Sequence, residues 1–437
     1  MLKKSEFATR RKKLLNKLQK DSIAIICSGP EMFRHDDNMY EYRQNSDFYY
    51  LTGLNEPDAV AVFISTTKNE FILFNREKNP SKEIWTGNYV GQNGSINDYG
   101  ANVSYPISKL DEEIPRLLMN KHCIYMSYND KKLTKLIMKW MTTLQQNTRL
   151  GVNIPTEFLN LNEILHEMRL IKSPSEISIM RQAEKITGQA HIKAMQICKP
   201  GMMEYQLQAS IEYDFKNNGM MGPAYGTIVG SGKNACILHY IDNNNVLRDG
   251  DLVLIDAGCE NDYYAVDITR TFPVNGKFSK EQRVIYELVL QTQKSVINLI
   301  KPGITYDKLQ SYAKFLITEG LIKLRILKGN INKLLEDKAY LSFYMHDIGH
   351  WLGMDVHDVG SYKNEKNWRK LEPGMVISIE PGIYIRHDNK NVDVKWRGIG
   401  VRIEDNILVT KTGNDVLSKG IPKTIEEIES IQKKNKN

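Results

Sequence analysis

The sequence predicts an α/β (α+β) protein in two parts: a small α/β N-terminal domain over residues 1–171 and a larger domain over residues 172–437 built from two similar halves. Three observations carry this expectation. Strand-like and helix-like segments alternate up to about residue 170. The stretch "QICKPGMMEYQLQ" (196–208) returns 102 residues later as "NLIKPGITYDKLQ" (298–310). A strand opened by Gly and ending six residues on in an acid also occurs twice, Gly250 to Asp256 in "DGDLVLIDAG" and Gly374 to Glu380 in "EPGMVISIEPG".

The first part begins with a helix whose apolar face carries Phe7, Leu14, Leu15 and Leu18, so "RRKK" is expected on its exposed face. "SIAIIC", "DFYYLTG", "AVAVFIST" and "EFILFN" are rich in β-branched and aromatic residues and read as strands. "DEEIPRLLMN" and "DKKLTKLIMKWMTTLQQ" read as helices. A long helical region from Asn160 to Cys198 is broken at "KSPSE", where Ser173 or Ser175 caps a new helix over Glu176. The domain boundary is placed near Ile171.

Composition narrows the class. A net charge of +7 over 437 residues, 25% of them charged, is a solvated Lys-rich surface and gives no nucleic-acid partner. No apolar run of about 18 residues predicts a membrane span, and no apolar core follows Lys3 and Lys4 as in a secretory signal. Five scattered cysteines without CxxC point to reduced thiols and a cytoplasmic location, and away from a disulfide framework or a zinc-thiolate site.

Each acid-ended strand is followed by a second acid in a β-like run, Asp267 in "YYAVDITRTF" and Glu404 in "GIGVRIEDNILV". Halves related by a pseudo-two-fold axis bring these four carboxylates to the centre. Asp256 and Asp267 flank "AGCENDYYAV", which predicts an antiparallel hairpin with the acids roughly opposite. Like charges so placed are destabilising, and a fold keeps them where a cation neutralises them. Arg402, two residues from Glu404, faces the same way and orients it. His350, in "FYMHDIGHWLGMDVHDVG" (343–360), completes five candidate ligands: Asp256, Asp267, His350, Glu380 and Glu404. Four carboxylates and one imidazole suit two divalent ions, and hard oxygen donors favour Mn²⁺. His346 and His350 have the spacing of the helical HExxH zinc motif. Asp347 stands where that motif needs Glu, and Gly349 disfavours a regular helix.

These residues resemble the pita-bread metallopeptidases, most closely the aminopeptidase P subfamily. "ILHY", "DLVLIDAGCE", "DITRTFPVNGKF", "HWLGMDVHDVG", "LEPGMV", "EPGIYI" and "RGIGVRIEDNILVT" carry the likeness, and "YRQNSDFYYLTGLNEPDAV" and "EIWTGNYVGQ" extend it into the first domain. The resemblance implies a pita-bread catalytic domain behind a small α/β domain, assembled as a homodimer or homotetramer. It implies that Asp256 chelates one metal, Asp267 and Glu404 bridge both, and His350 and Glu380 complete the other. His239, His346 and His357 become neighbouring non-ligand histidines, Tyr384 and Arg402 line or brace the site, and Trp85 contributes to a substrate pocket, its own or that of a neighbouring subunit. One departure stands out: the subfamily usually has Gly directly after the first His of this segment, and here it is Asp347.

The implied reaction is hydrolysis of the bond between an N-terminal residue and a following proline, in peptides with proline at position 2. His357 would donate to the developing oxyanion, Glu380 would shuttle a proton to the leaving nitrogen, and His239 would hold the substrate. An Xaa-Pro dipeptidase and a non-catalytic pita-bread binding module are the alternatives.

Overall fold

The computed structural model describes residues 2–146 and 151–433. The chain packs as two compact units divided between Met168 and Arg169.

The N-terminal unit is built on a mixed six-stranded sheet. Its strands are β1 (Ser22–Cys27), β2 (Val60–Ser65), β3 (Glu70–Asn75), β4 (Val103–Pro106), β5 (Cys123–Met126) and β6 (Glu157–Asn160), in the spatial order β4-β3-β2-β1-β5-β6. The central run "VAVFIS" is buried on every residue, which is why it reads as continuous rather than alternating hydrophobicity. Helices Leu110–Leu118 and Lys131–Gln145 lay Ile114, Leu118, Ile137 and Trp140 on the sheet.

Two expectations for this unit are corrected. "DFYYLTG" is not a strand but the helix Ser46–Thr52. Asn45 caps it by accepting the Phe48 N–H at 2.9 Å, and Gly53 ends it at φ 71°. These local caps outweigh the β propensity of its aromatics. "RRKK" is not wholly solvent-facing either. Arg10 and Arg11 are buried; they donate to Tyr50 O and Leu51 O, and stack over the Tyr50 and Phe71 rings at 4.1 and 4.6 Å. An arginine has enough apolar stem and enough donors to be packed where the charge pattern suggested solvent.

The second unit carries the duplication in its hydrogen bonds. Helices α1 (Pro174–Ile197) and α2 (Glu204–Asn217) flank the first Lys-Pro-Gly, and α3 (Lys280–Leu299) and α4 (Tyr306–Lys323) flank the second. Ser173 opens α1 with a capping box on Glu176. Gly201 and Gly303 both sit at φ 90°, and their N–H groups donate to Leu247 O and Leu371 O, each at 2.9 Å. Lone bridges pair Met203 with Val246 and Thr305 with Lys370 in the same relative places. The first half holds the antiparallel sheet β7 (Ile228–Ser231), β8 (Leu252–Asp256) and β9 (Thr269–Pro273), with β8 central. The second holds β10 (Val376–Ile379) paired with β13 (Asp405–Val409), and β11 (Gly382–Ile385) paired with β12 (Ile399–Arg402). One continuous core, from Ala183 and Phe215 through Tyr286 and Trp351 to Ile407, joins the halves.

Candidate metal centre

The acids lie where strands end. Asp256 is the last residue of β8, Glu380 follows β10, and Glu404 sits between β12 and β13. The ladder between β8 and β9 continues outward to a turn at Asp262 and Tyr263, at φ 48° and 70°. One register runs throughout: Asp256 faces Thr269 and Glu260 faces Ala265. Asp267 is therefore a diagonal neighbour of Asp256, not its opposite residue as the spacing suggested, and both point to one face. Gly258 faces Asp267 across the ladder, where a Cβ would lie 1.7 Å from Val266 O. Gly349 has the same function before His350, since a Cβ there would lie 1.8 Å from Ser378 O. Residues 343–360 form no helix, in keeping with the close approach that Gly349 permits.

The five side chains converge. His350 Nε2 lies 3.3 Å from Asp267 Oδ2 and 3.5 Å from Glu380 Oε1. Asp267, His350 and Glu404 each offer a ligand atom within 4.8 Å of the others. Arg402 Nη2 donates to Asp256 Oδ2 at 2.5 Å, and its Nε donates to Thr269 Oγ1 at 3.0 Å. Thr269 in turn donates to Glu404 Oε2 at 2.8 Å, and the Glu404 N–H donates to Thr269 O at 3.1 Å. Glu404 Oε1 is left buried with no hydrogen-bond partner among the described residues.

The electrostatics describe an acidic frame short of positive charge. Burial, then the charges of Asp267, Glu380 and Asp256, push Glu404 well above the usual carboxylate range. Burial likewise raises Asp256, and raises Glu380 to about 7. Burial also works to raise Asp267, but His350, Tyr225 and Arg402 hold it below its ordinary value. Burial should lower His350, yet Asp267 and Glu380 raise it to about 9, so its proton serves as the local cation. A divalent ion does that work better, and Glu404 Oε1 supplies a ready lone pair, so this donor set fits a metal.

A cavity of about 610 Å³ opens over these groups. His239 and His357 are exposed and line it; the His357 ring lies 4.3 Å from that of His350. His346 also lines it, with Nε2 2.8 Å from Tyr384 Oη and Nδ1 2.8 Å from Asp347 O. Burial first, then Arg402, lowers His346 to about 3, keeping the ring neutral. Tyr384, expected to line or brace the site, is fully buried and paired with Gly400 within the β11–β12 pair, so it braces rather than lines the cavity. Its hydroxyl accepts from Arg402 Nη1 at 3.1 Å and braces His346. Trp85 belongs to the N-terminal unit, on the short helix Pro80–Thr86, and is 86% exposed. The cavity lining comes wholly from the second unit and includes no residue of 327–340.

Three contributors escaped the sequence reading. Tyr225 Oη lies 2.7 Å from Asp256 Oδ1 and 2.6 Å from Asp267 Oδ1, holding the acid pair together. Thr269 ties Arg402 to Glu404. Asp358, beside His357, is buried against Arg169 and Lys172 at 2.7 and 2.8 Å. The signal for Thr269 was present, two residues past Asp267 on the same face; nothing local marked Tyr225.

A cavity floored by clustered acids and a histidine, at the meeting of two duplicated halves, defines a metal-dependent hydrolase. The chain belongs to metallopeptidase family M24, which residues 178–411 match, and residues 7–125 match the aminopeptidase P N-terminal domain. It is 43% identical to the Xaa-Pro aminopeptidase of Escherichia coli over 433 residues, 98% of each chain. Among solved structures it superposes on Pseudomonas aeruginosa aminopeptidase PepP with a TM-score of 0.98 at 47% identity, covering 100% of this chain and 99% of that one. Escherichia coli aminopeptidase P with the inhibitor Pro-Leu gives a TM-score of 0.97 at 43% identity, with the same coverage.

Proposed function

We propose that this chain is an Xaa-Pro aminopeptidase that releases an N-terminal residue preceding proline. The observation that carries this is the five-donor cluster under the cavity, with Glu404 Oε1 buried and unpaired. Full-length similarity to Xaa-Pro aminopeptidases supports the substrate class. Asp256 would hold one divalent ion, Asp267 and Glu404 would be shared, and His350 and Glu380 would hold a second. The hard donor set favours Mn²⁺. When bound, such ions polarise a carbonyl and make a water acidic near neutral pH.

The chain's own groups do the rest. A bond to proline has no amide N–H, so recognition falls on the carbonyl, the ring and the free amine. His357 faces the cavity and donates to the substrate carbonyl oxygen as charge builds there. Burial lowers its pKa, which favours a neutral donor. Glu380, beside His350 at the floor of the cavity, is placed to carry a proton to the proline nitrogen. His239 holds the peptide from the wall. Arg402, Tyr384 and His346 form a braced row that fixes Asp256.

We also infer a homodimer or homotetramer. Ile84 and Trp85, 82% and 86% exposed, are apolar groups that a second copy would cover, and sedimentation tests this. The five cysteines are free, in keeping with a cytoplasmic setting.

The deciding assay compares an Xaa-Pro-Xaa tripeptide with an Xaa-Pro dipeptide and an Xaa-Ala-Xaa control. The expected result is fast cleavage of the first alone. Preference for the dipeptide would make the chain a dipeptidase, and equal use of the control would remove proline specificity.

A further inference from the structure

One wall of the cavity is a run of aromatic rings that the proposed chemistry leaves unused. Its first ring is Tyr362, which is backed by the buried Trp351 next to His350, with centroids 5.0 Å apart. Tyr362 meets Tyr306 at 4.9 Å, and Tyr306 stacks on Trp368 at 6.0 Å and 26°. Tyr306 is pinned through its hydroxyl, which donates to Gly349 O at 2.5 Å. The row ends at Lys363, whose Nζ lies 4.3 Å from the Trp368 ring centre. Lys363 and Trp368 face each other on a two-strand ribbon, Lys363–Asn364 against Asn367–Trp368. The cross-strand pairing presses the ammonium on the ring and gives the lysine a defined place.

Charge gives this wall a chemical direction. Among the described residues lining the cavity, the permanent cations are Arg402 and Lys363. Arg402 is buried and committed to Asp256. Lys363 is exposed, and among the described residues no carboxylate lies within salt-bridge distance of it. Asp347 also lines the cavity, near Tyr306 and Tyr362, and the run beyond them ends in an uncommitted cation beside a flat indole. A peptide whose free amine lies at the acidic end presents its later residues to the opposite rim.

We propose that Trp368 and Lys363 form the subsite for the residue after proline, and that Lys363 selects a carboxylate there. The carboxylate is either the free C-terminus of a tripeptide or an acidic side chain in a longer peptide. This rests on the Xaa-Pro aminopeptidase assignment above. Trp368 supplies the apolar floor, and Lys363 supplies a screened ion pair whose effect is read mainly in KM.

The test measures kcat/KM for four peptides: Xaa-Pro-Gly with a free terminus, its amide, Xaa-Pro-Glu-amide and Xaa-Pro-Gln-amide. Wild-type protein is compared with Lys363→Met and Lys363→Glu. In the wild type, the expected preference is about fivefold for the free acid over its amide, or for Glu over Gln, carried in KM and weakened by salt. The pair showing it identifies the source of the carboxylate. Lys363→Met should bring that ratio near one, and Lys363→Glu should invert it. A wild type without preference in either pair, or a Lys363→Met protein that keeps the wild-type ratio, overturns the subsite. Failure of the wild type to cleave any of the four would instead overturn the aminopeptidase assignment.

Discussion

The Thr269 hydroxyl donates to Glu404 Oε2 at 2.8 Å, linking a strand of the first half to the last acid of the second. The same oxygen accepts from Arg402 Nε at 3.0 Å, so one small side chain sets the orientation of two charged ones. Thr269→Val keeps the shape and removes the hydroxyl. Metal affinity, measured by calorimetric titration, is expected to fall about 10- to 100-fold. Thr269→Ser should retain most of it, because the donor and acceptor remain.

Asp358 is buried between Arg169 and Lys172 and anchors the backbone next to His357. Asp358→Asn leaves two buried cations undercompensated and is expected to cost about 3–5 kcal/mol in urea unfolding. Despite its burial, Lys172 and Arg169 hold the carboxyl below its ordinary value. The stabilisation is thus present above the unfolded pKa and is lost as pH falls through the folded one. The difference between wild type and variant should shrink in strong acid.

Glu184 on α1 has the opposite sign. Burial, with Asp405 and Asp267 adding, raises it to about 8, while Asn406 donates to its Oε1 at 2.7 Å. Its contribution is complete below the unfolded value of 4.5 and is lost as pH rises through about 8. Glu184→Gln keeps an acceptor for Asn406 and cannot ionise. Its melting temperature relative to wild type should climb from about pH 5 to about pH 9, followed by calorimetry. A flat difference would place the Glu184 pKa near its ordinary value.

Gly349→Ala should disturb folding and catalysis together. The added methyl meets Ser378 O, and Ser378 Oγ receives the His350 N–H at 3.0 Å. A shift of His350 by even about 1 Å is expected to lower kcat/KM on the order of 100-fold. Because the clash is with the backbone of β10, the melting temperature followed by circular dichroism should fall as well.

The sequence announced those parts of the molecule that repeat or end abruptly. The two Lys-Pro-Gly turns survive as two glycines at φ 90°, and the strands from Gly250 and Gly374 end in acids at the centre. What stayed hidden depends on distant partners. Ser46–Thr52 looked like a strand because its aromatics outweighed the two caps that make it a helix. Arg10 and Arg11 looked solvated because the carbonyls of Tyr50 and Leu51 that receive them lie 40 residues away. Tyr225 carried no local pattern, since its place is set by the register that puts Ile228 opposite Asp256.

The central claim is that carboxylates from both halves act with His350 as one metal centre. The most direct measurement is titration of chelator-stripped protein with Mn²⁺, following Xaa-Pro-Xaa cleavage and thermal unfolding together. Both should rise in step and saturate at two equivalents per chain, and Glu404→Gln should abolish the gain in each while leaving the stripped protein folded. Full turnover by the stripped protein, or a Glu404→Gln variant that responds to Mn²⁺ like the wild type, would contradict it.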